Sequence, residues 1–460
     1  MIKTFWVGVD WGTHSSKWWY TAEDESGEAF EPRRVGSVID STIHRRGESV
    51  VLVRERTATS GGLAIPRIKR CLIEYPLGPN FWEAKWEEST GLSLGEASAL
   101  SLAVILGDAA ENARTNGLQI IPGQTQIRTR FSLPNWVGEE QREVKARRQM
   151  FQACAVVAAL IENEGLDALP KVGMEVPIEE WHQRTLRIRQ IAECQHVLEG
   201  FPTSFKDLVE RHFCLGVDGR VVWRLAAESS AAGFPQLERL LVDPDDASKT
   251  EDHWVKLLVV DVGAGSTDVG YMVSSRNRQN QLFFNYLRPA PTLEWAGGKL
   301  TEMVSDYYRS KGREMTLEEA EILKLNAPDE WKNEEFVKDW IKRIANRVAD
   351  YIVSVPDTAR LPEPSIPGLK IVLTGGSGAV PGLGLDVEVE NAVRHALMSR
   401  RTDVPTNVVE KTRRVEGKLD WPPDPMDQAR RAVSIGAGKK TFGELRYRDK
   451  LERTVKTPLF

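Results

Sequence analysis

LLVVDVGAGSTDVGYM, residues 257–272, decides how this chain is read. Four apolar residues, Leu257 to Val260, lead into Asp261. Gly263, Gly265, Ser266, Thr267 and Asp268 follow, and an apolar Val269 resumes. The flanks predict two short buried strands, with the glycines as a tight hairpin between them. A glycine N–H can approach a phosphate closely, and successive N–H groups form an anion-binding concavity. Carboxylates beside such a loop repel phosphate unless a cation intervenes. Magnesium, held through one or two carboxylates and several waters, supplies that cation. Taken alone, the pattern is also that of an ordinary hairpin with two aspartates.

A second copy changes the weighing. FWVGVDWGTHSSKWWY, residues 5–20, repeats the design: apolar strand, Asp10, Gly12, Thr13, small polar residues, then a second strand from Lys17 to Tyr20. Two D-x-G hairpins predict a duplicated unit in which each of two lobes offers a phosphate loop. A third element is KIVLTGGSGAVPGL, where a strand over 370–374 meets Gly375, Gly376, Gly378, Pro381 and Gly382. Three glycine turns in this order, each after a buried strand, make nucleotide binding the preferred reading.

At 460 residues the chain calls for two large lobes. A charged fraction of 28% and an apolar fraction of 41% are ordinary for a globular protein. The formal charge of −5 gives no electrostatic case for nucleic acid as the main partner. The four cysteines (Cys71, Cys154, Cys194, Cys214) form no C-x-x-C pair and read as reduced thiols. The first strand starts at Ile2, which leaves no room for a cleavable signal. The longest apolar run, about 150–161, is too short to span a bilayer. A cytoplasmic protein without a membrane segment is expected.

Between the motifs, apolar spacing predicts a helix over 92–113 with Ser93 as N-cap, a strand over 126–134 and a charged helix over about 138–160. A helical insertion over about 158–218 reads as a partner surface. Its His182, His196 and His212, with Cys194 and Cys214, fit no zinc spacing. A strand is expected over 221–234, including Glu228, and another near 281–287. A Gly-Gly turn at Gly297 and Gly298 precedes a helix over 299–308. Thr316 and Glu319 form a capping box for a helix over 316–326. Further helices are expected over 332–353 and 427–442, the latter ending near Gly436–Gly438.

The ordered motifs resemble the actin-like ATPase superfamily, most closely the nucleotide-binding domain of the heat-shock seventy chaperones. Asp10-Trp-Gly12-Thr13 resembles that family's first phosphate loop, the segment from Asp261 to Asp268 its second, and Gly375-Gly376-Ser377 with Pro381 its adenosine loop. RFSLPNWVGEEQRE at 130–143 is similar to the opening of its first lobe. Glu228 with the small residues after it, and 432–438, resemble its two connecting segments. Lys69 stands where the family has a catalytic lysine, and Glu321 with Lys324 fits its A-E-x-x-K adenine-side pattern. The resemblance covers about 2–440 and implies an α/β, duplicated actin-like (ribonuclease-H-like) fold, with two lobes around a central nucleotide cleft. Lobe I would be 1–234, lobe II 235–440, and 441–460 a charged tail.

The chain departs from the family in several places. Leu325 and Ala379 replace two arginines that sandwich the base, His14 replaces a hydroxyl residue and Ser266 a threonine. The 158–218 region is longer than the family's, and nothing after about 440 supplies a peptide-holding domain.

Following the resemblance, ATP or ADP with Mg²⁺ would be held by Gly12, Thr13, His14, Gly263, Gly265, Ser266, Gly297, Gly298, Glu321, Lys324, Gly375, Gly376 and Ser377. Asp10 and Asp261 would hold magnesium through its waters. Lys69 would place the attacking water, with Glu228 and Asp268 orienting water and metal shell. Such phosphoryl transfer is positioning and charge stabilisation. The expected function is a slow ATPase whose nucleotide state switches a protein partner. An actin-like filament former is the alternative, and a small-molecule kinase of the same superfamily lacks a segment to support it. Oligomeric state stays open.

Overall fold

Ile2–Asp10 (β1) is buried on both faces except at Lys3 and Trp6, so it reads as an apolar run and not as an alternation. It pairs antiparallel with Ser15–Asp24 (β2), so the first D-x-G stretch is a hairpin as expected. The computed structural model describes residues 1–12, 15–33, 38–54, 64–65, 81–82, 91–133, 140–192, 203–213, 216–218, 221–223, 226–241, 253–276, 282–290, 292–326, 328–355, 368–378, 380, 382–399, 413–414, 425–439 and 446–447. The protein is α/β, and its chain divides into two units. One is 1–226 with 437–440; the other is 227–436 with the described strand at 446–447.

In the first unit β1 and β2 are followed by Ala29–Phe30 (β3), Ile39–Arg46 (β4), Ser49–Arg54 (β5) and Ala64–Ile65 (β6). The helix Leu94–Thr115 (α1) comes next, then Gln126–Leu133 (β7) and the helix Glu140–Glu164 (α2). Val176–Pro177 (β8), the helices Ile178–Ala192 (α3) and Thr203–Phe213 (α4), Gly216–Asp218 (β9), Val221–Trp223 (β10) and Ala226–Ala227 (β11) complete the unit. The main sheet runs β11-β7-β1-β2-β4-β5-β8, with β3 on β2 and β6 on β4; β9 and β10 pair separately. β7 lies parallel to β1 on the side away from β2.

α1 is almost wholly buried and starts where expected. Ser93 Oγ accepts the Glu96 N–H, and the Glu96 carboxylate accepts the Ser93 N–H at 2.8 Å. This reciprocal box satisfies two N–H groups that the helix itself cannot.

The region expected as an insertion over 158–218 is woven into this unit. Residue 158 lies inside α2, β8 pairs with β5, and Phe213 of α4 stacks on Phe131 of β7 at 5.3 Å. Two of its histidines meet carboxylates: His182 Nδ1 is 2.6 Å from Glu96, and His212 Nε2 is 2.9 Å from Glu162. His196, Cys194 and Cys214 lie outside the described residues.

The second unit opens with the helix Glu228–Leu241 (α5) and continues through His253–Val262 (β12), Thr267–Arg276 (β13) and Leu282–Pro289 (β14). The helices Gly297–Ser310 (α6), Leu317–Asn326 (α7) and Glu335–Ser354 (α8) follow, then Lys370–Thr374 (β15), the helix Leu385–Met398 (α9), Arg413–Arg414 (β16), the helix Pro425–Gly438 (α10) and Arg446–Tyr447 (β17). The sheet order is β16-β15-β12-β13-β14-β17. β12 and β13 form the second expected hairpin, and β15 lies parallel to β12 on its other side. Each unit thus contains the same three-strand arrangement around its D-x-G hairpin. The core joins Leu258, Val260, Val262, Val269 and Tyr271 to Trp331, Trp340, Ile344 and Val348. Each fully buried side chain of this kind contributes roughly 1.5–3 kcal/mol.

Two expectations are corrected here. The strand expected over 221–234 is two short strands and then a helix, so Glu228 opens α5 instead of lying on a strand. The small residues that looked strand-like serve close helix-on-sheet packing. A Cβ on Gly233 would lie 2.4 Å from a Val259 methyl, and one on Gly270 would lie 2.5 Å from Ser229 Oγ. For that reason α5 belongs to the second unit, and the break falls after Ala226 instead of after Phe234. Likewise Gly297 and Gly298 are the first residues of α6 and not a turn before it. The Thr316–Glu319 capping box is present: the Thr316 N–H donates to Glu319 at 2.8 Å, and the Glu319 N–H to Thr316 Oγ1 at 3.2 Å. Among the described residues no helix is long and apolar enough to cross a membrane.

Candidate functional site

In an antiparallel pair, directly opposite residues share a face. Asp10 stands opposite Lys17, and Asp261 opposite Asp268. The two hairpins therefore have the same spacing but opposite charge at the facing position. In the first, Lys17 Nζ donates to Asp10 Oδ2 at 3.0 Å, and both groups are largely buried. In the second, two carboxylates on one face would repel. Hydroxyls offset this: Ser266 Oγ and Thr292 Oγ1 each donate to Asp268 at 2.8 Å. Asp268 is 1% exposed, so it caps the hairpin from inside. Ser266, expected to hold the nucleotide, donates its O–H in a hydrogen bond to Asp268.

The first loop is tied down on several sides. Trp11 is fully buried and donates its indole N–H to Ser101 of α1 at 3.1 Å. The Gly12 carbonyl accepts from Ser41 Oγ at 2.8 Å. A Cβ on Gly12 would lie 2.2 Å from the Ser15 carbonyl oxygen, so no other residue fits without moving the loop. Thr13, His14 and Lys69 lie outside the described residues. Lys17 was read only as a strand residue. The signal for it was a lysine inside Lys17–Tyr20, otherwise apolar, at the position that faces Asp10 across the hairpin.

The second loop is oriented by α6. The Gly263 N–H closes the turn onto the Ser266 carbonyl at 2.9 Å. The Gly297 and Gly298 N–H groups, at the start of α6, donate to the Gly263 and Ala264 carbonyls at 2.9 and 2.7 Å. Those two glycines were expected to touch a nucleotide; in the structure their N–H groups hold the loop. They are glycines because a Cβ on Gly297 would lie 1.8 Å from Ser377 Oγ, and one on Gly298 would lie 2.7 Å from the Ala264 oxygen. A trans peptide points its C=O and N–H in opposite directions. With the carbonyls of Gly263 and Ala264 drawn to α6, the N–H groups of Ala264 and Gly265 face the other way. Neither donates to a carbonyl of the turn. Two adjacent N–H groups that point away from α6, on the turn that follows Asp261, are donors of the kind that anion binding uses.

The third turn packs on the second. Thr374 pairs with Asp261 in the parallel ladder. Gly375, at φ +83°, sits where a Cβ would lie 2.5 Å from Asp261 Oδ1. The Ser377 N–H donates to the Val262 carbonyl at 3.1 Å, and the Gly375 N–H to Ala429 of α10 at 3.2 Å. Gly376 is half-buried, and a Cβ there would meet Arg430 at ordinary distance. Ala379 and Pro381 lie outside the described residues. Lys324 and Glu321 of α7 lie behind these turns. Lys324 donates to Glu321 at 2.6 Å and to Ser377 Oγ at 3.2 Å. Leu325 packs against the core of the unit. Glu228 is buried at the start of α5.

Among the described residues no three His, Cys, Asp or Glu side chains form a metal-binding group. Each loop instead offers a carboxylate, Asp10 or Asp261, beside glycine backbone. That donor chemistry fits magnesium, which keeps several waters and takes one or two carboxylates, and not a cation that requires an all-protein cage. Compared with known proteins, the sequence matches no protein-family model and no curated protein.

Proposed function

We propose that this protein is a magnesium-dependent ATPase of duplicated actin-like fold, similar to the nucleotide-binding domain of heat-shock seventy chaperones, whose nucleotide state switches a protein partner. The observation that carries the reading is the second loop: outward N–H groups of Ala264 and Gly265, beside a carboxylate that a left-handed glycine keeps close. The matching three-strand arrangement in each unit supports the duplicated fold. In the first unit, Asp10 with Lys17 and Gly12 gives the same kind of loop a cation as well.

In this reading Asp10 in one unit and Asp261 in the other would each offer a carboxylate to magnesium, and backbone N–H groups of each loop would hold phosphate. Bound magnesium would neutralise charge that develops on the phosphate oxygens. Asp268 keeps the second loop in shape, and Ser266 is part of that cap. ATP and ADP differ by one phosphate on these loops, and that difference in contact is what can shift a conformational equilibrium.

The test is calorimetric binding of ATP and ADP with and without Mg²⁺, together with phosphate release, for wild type, Asp10→Asn and Asp261→Asn. Magnesium-dependent binding with turnover lost in both variants is expected. Turnover in Asp10→Asn equal to wild type, or no binding of any nucleotide by wild type, overturns the reading.

A further inference from the structure

Lys324 has no exposed surface. An ammonium so placed is tolerated only where its charge and its N–H groups are matched. Its four acceptors are Glu321 Oε2 at 2.6 Å, Thr301 Oγ1 at 3.1 Å, the Gly297 carbonyl at 3.2 Å and Ser377 Oγ at 3.2 Å. A lysine carries three N–H donors, so these partners use all of them. Thr301 Oγ1, which accepts from Lys324, has its one O–H in reach of both Glu321 and the Gly297 carbonyl, which closes the network. Nothing of the ammonium is left for a ligand.

The acceptors lead to one place by two routes. Through its carbonyl Gly297 meets Lys324, and through its N–H it holds the Gly263 carbonyl. Through its hydroxyl Ser377 meets Lys324, and through its N–H it holds the Val262 carbonyl. Gly263 and Val262 both follow Asp261 on the same strand and turn. One buried charge therefore braces the backbone after Asp261 from the α6 side and from the third turn.

We propose that Lys324 is a positioning residue, a strut that sets the Asp261 carboxylate and the outward N–H groups of Ala264 and Gly265 and touches no part of the ligand. This rests on reading the Asp261 loop as a magnesium–phosphate loop. It differs from what the A-E-x-x-K resemblance implies, a lysine on the nucleoside side. A strut acts on the metal and phosphates equally whatever is attached to them, whereas a nucleoside contact acts only when the nucleoside is present.

The experiment uses two probes with the full chain: MgATP, and magnesium tripolyphosphate, which has neither sugar nor base. Lys324→Met alone would strand Glu321 in the interior. Lys324→Met combined with Glu321→Gln removes the charges together, and Ser377→Ala cuts a single arm of the brace.

In the double variant, affinity for both probes is expected to fall by the same factor, about 10- to 100-fold, the cost of losing a partner behind a metal ligand. The ratio between the probes stays constant, and the Mg²⁺ concentration for half-saturation rises. Ser377→Ala moves both probes the same way by about fivefold, the worth of one hydrogen bond. Loss of MgATP affinity with tripolyphosphate binding retained would mean a nucleoside contact and overturn the strut, as would unchanged affinity for both. Wild type binding neither probe overturns the phosphate-loop reading itself, and the strut with it.

Discussion

Gly375→Ala probes the packing that places Asp261. Gly375 has φ +83°, and a Cβ there would lie 2.5 Å from both Asp261 Oδ1 and the Val262 carbonyl oxygen. Two costs add. The left-handed backbone costs an alanine about 1–2 kcal/mol, of which roughly 0.4–1 kcal/mol is returned by the stiffer unfolded chain. The second cost is overlap, since ordinary contact begins near 3.4 Å. The Val262 carbonyl cannot retreat without giving up the Ser377 N–H, which it accepts at 3.1 Å. Overpacking of this kind costs about 1–3 kcal/mol, for a total of roughly 1–5 kcal/mol.

Gly384→Ala separates the two. Gly384 has φ +76° with nothing within 4 Å of its Cβ position, so it bears the backbone cost alone. At roughly 2–4 °C per kcal/mol for a unit of this size, calorimetric melting should show a clearly larger fall in Tm for Gly375→Ala. Added MgATP should restore the Gly384 variant and not the Gly375 variant. Equal losses of Tm in the two would refute the claim that Gly375 carries Asp261.

Two further outcomes are expected. Lys17→Met should weaken MgATP binding by about tenfold, the scale of one hydrogen bond to a charged group; an unchanged constant by calorimetry would leave Lys17 as a counter-ion of Asp10 alone. Lys256, 4% exposed on β12, has its ammonium pushed by burial from 10.5 down to about 8. The native state thus disfavours the proton, so the penalty is full below about pH 8 and fades as pH rises towards 10.5. The Tm of wild type relative to Lys256→Met should therefore rise as pH goes from 8 to 10.5 and be level below pH 8, as melting curves across that range would show.

Local chemistry was legible where one residue's own backbone decides the outcome. Ser93 and Thr316 were read as caps because a side-chain oxygen next to unsatisfied N–H groups needs nothing from afar. The D-x-G hairpins at Asp10 and Asp261 were readable because apolar runs broken by glycine leave few alternatives. Glu228 was misplaced because Ser229, Gly233 and their neighbours are small for the sake of β12 and β13, which lie far along the chain. Gly297 and Gly298 were misread for the same reason: their want of a side chain answers to Ser377 and Ala264.

What the sequence by itself determined is the α/β pattern, the two glycine hairpins after buried strands, and the carboxylates at their mouths. All of these follow from short-range rules of propensity and steric freedom. Only the tertiary structure decided which polar groups face outward. It spent Asp268 on Ser266 and Thr292, enclosed Lys324 among four acceptors, and turned the Gly263 and Ala264 carbonyls to α6. A buried polar group must find its partner, and that partner comes from wherever the fold brings one.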